Sequence, residues 1–139
     1  MSVTNGINRS LVLVVGASTI NCVVVSRVVE RMGLKVKSER PDVAAATLLS
    51  LDPSIVILDG GAENRDCDSL LDELRQKRNG SAGHFPAVIL LSMANHGAEH
   101  AAIADVVDMV VAKPLTVDRL QPAIESLRAR NGDFARPVA

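Results

Sequence analysis

The stretch "PSIVILD" (53–59) decides how this chain folds. It opens on a turn, "DPS" (52–54), runs through four aliphatic residues, "IVIL" (55–58), and closes on a carboxylate, Asp59. A short apolar run without polar alternation is what a strand covered on both faces requires. Two more runs match it, "LVLVV" (11–15) and "AVILL" (87–91). "LKVKS" (34–38) alternates apolar and polar residues, as an edge strand does. "DMVVA" (108–112) supplies a fifth strand.

Helical patterns fill the intervals. Residues 18–32 carry a stripe of Ile20, Val23, Val24, Val28 and Met32, with Ser18 as N-cap and Gly33 closing the helix. Pro41 opens a second helix to about Leu51, proline being suited to the first turn. The third runs over 67–78 with Leu70, Leu71 and Leu74 on one face. A short Ala-rich helix follows at 97–105, and Thr116 caps a last one to about Arg130. Strand and helix alternate five times, which predicts an α/β fold with a doubly wound, five-stranded parallel sheet. The domain spans 10–130, with a lead at 1–9 and a frayed tail at 131–139.

A chain of 139 residues fits one domain. Apolar residues make up 47% and aromatics 1%, with no Trp or Tyr, so the core is built from Val, Leu, Ile and Ala. The net charge of −1 gives no electrostatic reason to bind nucleic acid or an anionic membrane. Aromatic platforms for single strands are also missing. Cys22 and Cys67 do not make a disulfide framework. Cys22 falls in an apolar helical pattern and reads as a small buried hydrophobe, and a reducing cytoplasm fits. Arg9 and Val15-Gly16-Ala17 resemble the flank and cleavage site of a signal peptide. The apolar stretch between them is short, however, and cleavage would remove the first strand. Asn21 also stands before Cys22 where lipid attachment wants a small residue. Asn21 and Arg27 in mid-segment argue against a membrane span.

In doubly wound sheets ligands gather at the C-terminal ends of the strands. The residues there are Gly16 and Ala17, Asp59, Ser92, then Lys113 and Pro114. A carboxylate, a hydroxyl and an ammonium on one rim suit phosphoryl handling. Asp59 is the candidate nucleophile, forming an acyl phosphate. Lys113 would neutralise a phosphoryl oxygen, and Ser92 would donate a hydrogen bond to another.

With these residues in place, the chain resembles the receiver domain of two-component response regulators across 10–130, a (βα)5 flavodoxin-like fold. The matching stretches are "PSIVILD" (53–59), "VILLS" (88–92) and "VVAKPL" (110–115). The resemblance implies Asp59 as candidate phosphoacceptor, with Ser92 and Lys113 as phosphoryl-contacting residues. Pro86 lies one residue further upstream of Ser92 than is usual. Receivers carry two acidic residues after the first strand that bind the divalent cation for phosphoryl transfer. Here those positions are Gly16 and Ala17. Mg²⁺ is usually held by one or two carboxylates, so binding is expected to be weak or absent, and no cofactor is expected. The aromatic switch position of the family is Val110, which has no ring to rotate. The loop "GGAENRDCD" (60–68) is polar, and Glu63 or Asp66 is the candidate substitute metal ligand.

Two roles stand open for Asp59: phosphoacceptor, or half of a structural ion pair with Lys113. The missing acidic pair favours the second. Ser92 as a cap of the next turn is compatible with its receiver-like role. "HGAEH" (96–100) matches an H-x-x-E-H metallopeptidase pattern, with His96 and His100 as ligands and Glu99 as base. It has no third ligand and begins with Gly97 at a helix start. His84 reads as a surface residue. "VVGAST" (14–19) has one glycine, far short of a nucleotide-binding loop.

The expectation is therefore a non-enzymatic, stand-alone pseudo-receiver, since 131–139 is too short for an output domain. Its partners would be a histidine kinase, a phosphotransferase or a downstream target. The resemblance implies contact through the face of the fourth helix, fifth strand and fifth helix (about 93–128), with homodimerisation also plausible there. The rivals are an active single-domain regulator phosphorylated on Asp59, and a small-ligand or metal-dependent enzyme on a flavodoxin-like scaffold.

Overall fold

The structure, a computed structural model, describes residues 8–51, 53–59, 68–80, 86–92, 106–112 and 116–130. The strands are β1 (Asn8–Val15), β2 (Lys35–Glu39), β3 (Pro53–Asp59), β4 (Ala87–Ser92) and β5 (Met109–Ala112). The described helices are α1 (Thr19–Arg31), α2 (Pro41–Leu51), α3 (Asp68–Gly80) and α4 (Val117–Arg130). All strands are parallel, in the order β2-β1-β3-β4-β5, the doubly wound arrangement that the alternation predicts. The proposed 97–105 helix lies outside the described residues. Among the described residues, no helix is long and apolar enough to cross a membrane.

The alternation of side chains along each strand divides the core in two. Val12, Val14, Ile55, Ile57, Ile89 and Leu91 join one cluster with Val25 and Val29 of α1 and Leu120 and Ile124 of α4. Leu13, Val15, Val56, Leu58, Val88 and Leu90 join the other with Leu48 of α2 and Leu70 and Leu74 of α3. Every residue of β3 and β4 is buried, which accounts for the apolar runs 55–58 and 87–91 at their centres. The strands are tied at their N-terminal ends by polar side chains. The Ser54 hydroxyl donates to the Leu11 carbonyl at 3.3 Å. The Val88 amide donates to Asp108 Oδ2 at 2.8 Å.

α1 ends in a Schellman motif. Gly33, at φ 83°, donates to Glu30 O at 3.0 Å, and Leu34 donates to Val29 O at 3.4 Å. The predicted stripe of α1 needs correction. Ile20, Val23 and Val24 are exposed, and the buried residues are Cys22, Val25, Val28 and Val29. The reason lies in the charges: at 3.6 residues per turn, Ile20, Val23 and Val24 share a face with Arg27, Glu30 and Arg31. Burying that face would have buried three charges with it. Pro122 sits inside α4, a feature the sequence pattern did not flag. The turn ahead of it is closed by Leu120 donating to the Thr116 carbonyl at 3.0 Å.

Candidate functional site around Asp59

Asp59 is the last residue of β3 and is 3% exposed. Alternation from Ile55 and Ile57 turns it to the α1 side of the sheet. There the Asn21 amide Nδ2, one turn into α1, donates to Asp59 Oδ2 at 2.8 Å. The first turn of α1 is capped by the Ser18 hydroxyl, which accepts from the Asn21 backbone amide at 3.3 Å. Asn21 was not singled out as a site residue from the sequence. Its signal in the sequence is a carboxamide in the apolar N-terminal half of the helix, one position before the buried Cys22. Lys113, expected to balance Asp59, lies outside the described residues, as do Pro114, Glu63, Asp66, Cys67, His84, His96, Glu99 and His100.

Gly16 follows β1 directly and is buried. Its amide donates to the Glu39 carbonyl at 3.1 Å, extending the β1–β2 pairing by one step. A β-carbon at this position would stand 3.0 Å from Asp59 Cβ and 3.3 Å from Cys22 Sγ. A side chain here would therefore be tightly packed, and could enter only if Asp59 or Cys22 gave way by a few tenths of an ångström. Ala17, by contrast, is exposed. The Cys22 thiol donates to the Gly16 carbonyl at 3.7 Å. Burial pushes this thiol up from its ordinary value, and the Asp59 charge adds to the rise. A hydrogen bond with Ser38 opposes both.

The β3–β4 register pairs Asp59 with Leu91, and Ser92 pairs one step further on with Ala112 of β5. Leu91 packs in the α1/α4 cluster and Leu90 in the other. Alternation therefore assigns Ser92, fully buried, to the face opposite Asp59. Val110 on β5 is 39% exposed. Among the described residues, no group of three His, Cys, Asp or Glu side chains is placed to hold a metal. On the β2 side of Gly16 a cavity of about 430 Å³ opens, lined by Ala17, Cys22, Arg27, Ser38 and Arg40 among others.

No protein-family model matches the chain, and no curated protein matches it. Solved structures do. A response regulator receiver domain from Bermanella marisrubri is 23% identical, with a TM-score of 0.69 over 86% of this chain and 98% of that one. The receiver domain of a putative LuxO repressor protein from Vibrio parahaemolyticus is 20% identical, with a TM-score of 0.71 over 94% and 100%. NtrX from Brucella abortus is 20% identical, with a TM-score of 0.75 over 89% of this chain and 28% of that one. The strand order, the two-sided helical cover and these likenesses agree: the chain has the flavodoxin-like α/β fold of response-regulator receiver domains.

Proposed function

We propose that this chain is an atypical receiver of two-component signalling, one that works through protein–protein contact without Mg²⁺-dependent phosphorylation of Asp59. The observation that carries this is the packing of Gly16 against Asp59, which leaves 3.0 Å for a β-carbon. Mg²⁺ demands near-octahedral oxygen ligands, commonly from one or two carboxylates besides water. The described residues do not fit it. Gly16 supplies no side-chain ligand and its surroundings are tight for one, and Ala17 carries only a methyl. The Asp59 Oδ2 faces an amide donor. Phosphoryl transfer relies on metal and fixed cations to offset the charge of the moving group. Gly16, Ala17 and Asn21 remove the metal share of that requirement.

The partners are signalling proteins of the cytoplasm: a histidine kinase, a phosphotransferase or a downstream target. The contact face is the 93–128 region, of which β5 and α4 are described. Val110 and Val117 are exposed along it, and a groove of about 500 Å³ runs between β5 and Pro122, Ala123 and Ser126 of α4.

Amide NMR during a Mg²⁺ titration, followed by beryllofluoride, tests this directly. The expected result is no shift at Asp59 and its neighbours, and no labelling by acetyl phosphate. Saturable shifts, or labelling that Asp59→Asn removes, would instead establish an active single-domain response regulator.

A further inference from the structure

Asn21 does more at Asp59 than fill space. Its amide nitrogen stands 2.8 Å from Oδ2, close to the separation of two ligand oxygens on one metal ion. Oxygens at adjacent corners of an octahedron, each about 2.1 Å from Mg²⁺, stand roughly 3 Å apart. The atom at the neighbouring corner is here a donor nitrogen. It directs its hydrogens at the carboxylate and offers no lone pair to a cation. Resting on the reading of Asp59 as a site without Mg²⁺, we infer that Asn21 keeps a divalent cation off Asp59, its amide nitrogen occupying the place of a ligand oxygen. Asn21 is in this sense a positioning residue: it satisfies and orients the Asp59 carboxylate from α1. The neighbouring position adds no cation ligand, because Gly16 has no side chain and is closely packed against Asp59 and Cys22.

Asn21→Asp changes that nitrogen to oxygen with almost no change in shape. It leaves two carboxylates face to face on β3 and α1, an arrangement that repels itself until a cation enters. The test is a Mg²⁺ titration, followed by amide NMR and by the thermal midpoint, of the full chain in four forms: wild type, Asn21→Asp, Asn21→Asp/Asp59→Asn, and Asn21→Ala. Asn21→Asp is expected to bind Mg²⁺ at least tenfold more tightly than wild type, with its midpoint rising as Mg²⁺ is added. Asp59→Asn should abolish the gain. Asn21→Ala removes this amide donor from Oδ2 without adding a charge, and should bind a few-fold more tightly than wild type. If Asn21→Asp is too repelled to fold even in Mg²⁺, Asn21→Ala decides alone.

Unchanged or weaker binding in Asn21→Ala would overturn the inference, because it would make the Asn21 carbonyl a ligand or a bystander. So would a gain in Asn21→Asp that survives Asp59→Asn. Tight binding by the wild type would overturn the reading of Asp59 as a site without Mg²⁺. A wild type that does not bind, with variants that gain nothing, would overturn only the role given to Asn21.

Discussion

Gly16 and Asp59 touch across the ends of β1 and β3, so that a β-carbon on the first would meet the Cβ of the second at 3.0 Å. Gly16→Ala should destabilise the fold by about 1–3 kcal/mol, the usual cost of overpacking a well-filled site. Part of that cost comes from the Cys22 sulfur at 3.3 Å. Urea unfolding of Gly16→Ala in wild-type and Cys22→Ala backgrounds separates the two contacts. The penalty is expected to shrink in the second, and an equal penalty in both would assign the strain to Asp59 alone.

Asn21→Ala removes a hydrogen bond to a buried carboxylate. The expected loss is about 1.5–3 kcal/mol, typical of bonds to charged groups. The urea midpoint should fall with the slope unchanged. A midpoint within error of wild type would mean that Asp59 is satisfied equally well without α1.

The raised Cys22 thiol couples stability to alkaline pH. Its proton is held more tightly folded than unfolded, so its contribution is fully present below the ordinary thiol value of 9.0. It is lost as pH rises from there through the higher folded value. Lys77, lowered by burial, works in the opposite direction in the alkaline range. The readout is therefore the difference between wild type and Cys22→Ala. That difference should narrow above pH 9, and a constant gap would contradict the coupling. Alkylation of Cys22 at pH 8 should be slow, and faster in Asp59→Asn, which withdraws a negative charge from the thiolate.

The correction to α1 has a mutational signature. Ile20→Gln lies on the solvent side and should change stability by less than about 0.5 kcal/mol. Val25→Ala, on the core side, should cost about 2 kcal/mol. Reversed costs in thermal unfolding would restore the stripe first expected for this helix.

Asp108 fastens β5 to β4 through the Val88 amide. Asp108→Ala should cost about 1–3 kcal/mol by stranding a buried donor. Asp108→Asn keeps an acceptor oxygen and should cost less. Hydrogen exchange at Val88 reports the same bond locally, and protection unaltered in Asp108→Ala would show another acceptor in its place.

Much of the fold is legible because the runs 11–15, 55–58 and 87–91 in its central strands contain no polar residue. β3 and β4 need cover on both faces, and only a layered α/β arrangement provides it. Their ends were less legible. Asn8 pairs with Pro53 only across a break in the β1–β3 register, and no periodicity announces such a break. The inner face of α1 is not legible from its apolar residues, which spread most of the way around the helix; the positions of Arg27, Glu30 and Arg31 decide which side faces solvent. At the site, Asp59 was legible as the carboxylate closing an apolar run. Its partner was not, because Asn21 lies 38 residues earlier in the chain and meets it only through the sheet order. Ser92 shows the same limit. The pairing of Leu91 with Asp59 is a matter of register, to which the offset of Pro86 was the single clue.

β2 borders the sheet, hydrogen-bonded only to β1. Its outer residues Lys35 and Lys37 are exposed. An incoming strand would have to bring its backbone alongside both ammonium groups and strip their water. Charged, short border strands are how soluble sheets discourage aggregation through their open margins. The opposite margin, β5, is four residues long and offers few free backbone groups to a growing fibre. The sheet thus discourages further strand addition at both margins, and concentrated protein should resist amyloid-type assembly more than its Val- and Ile-rich composition suggests.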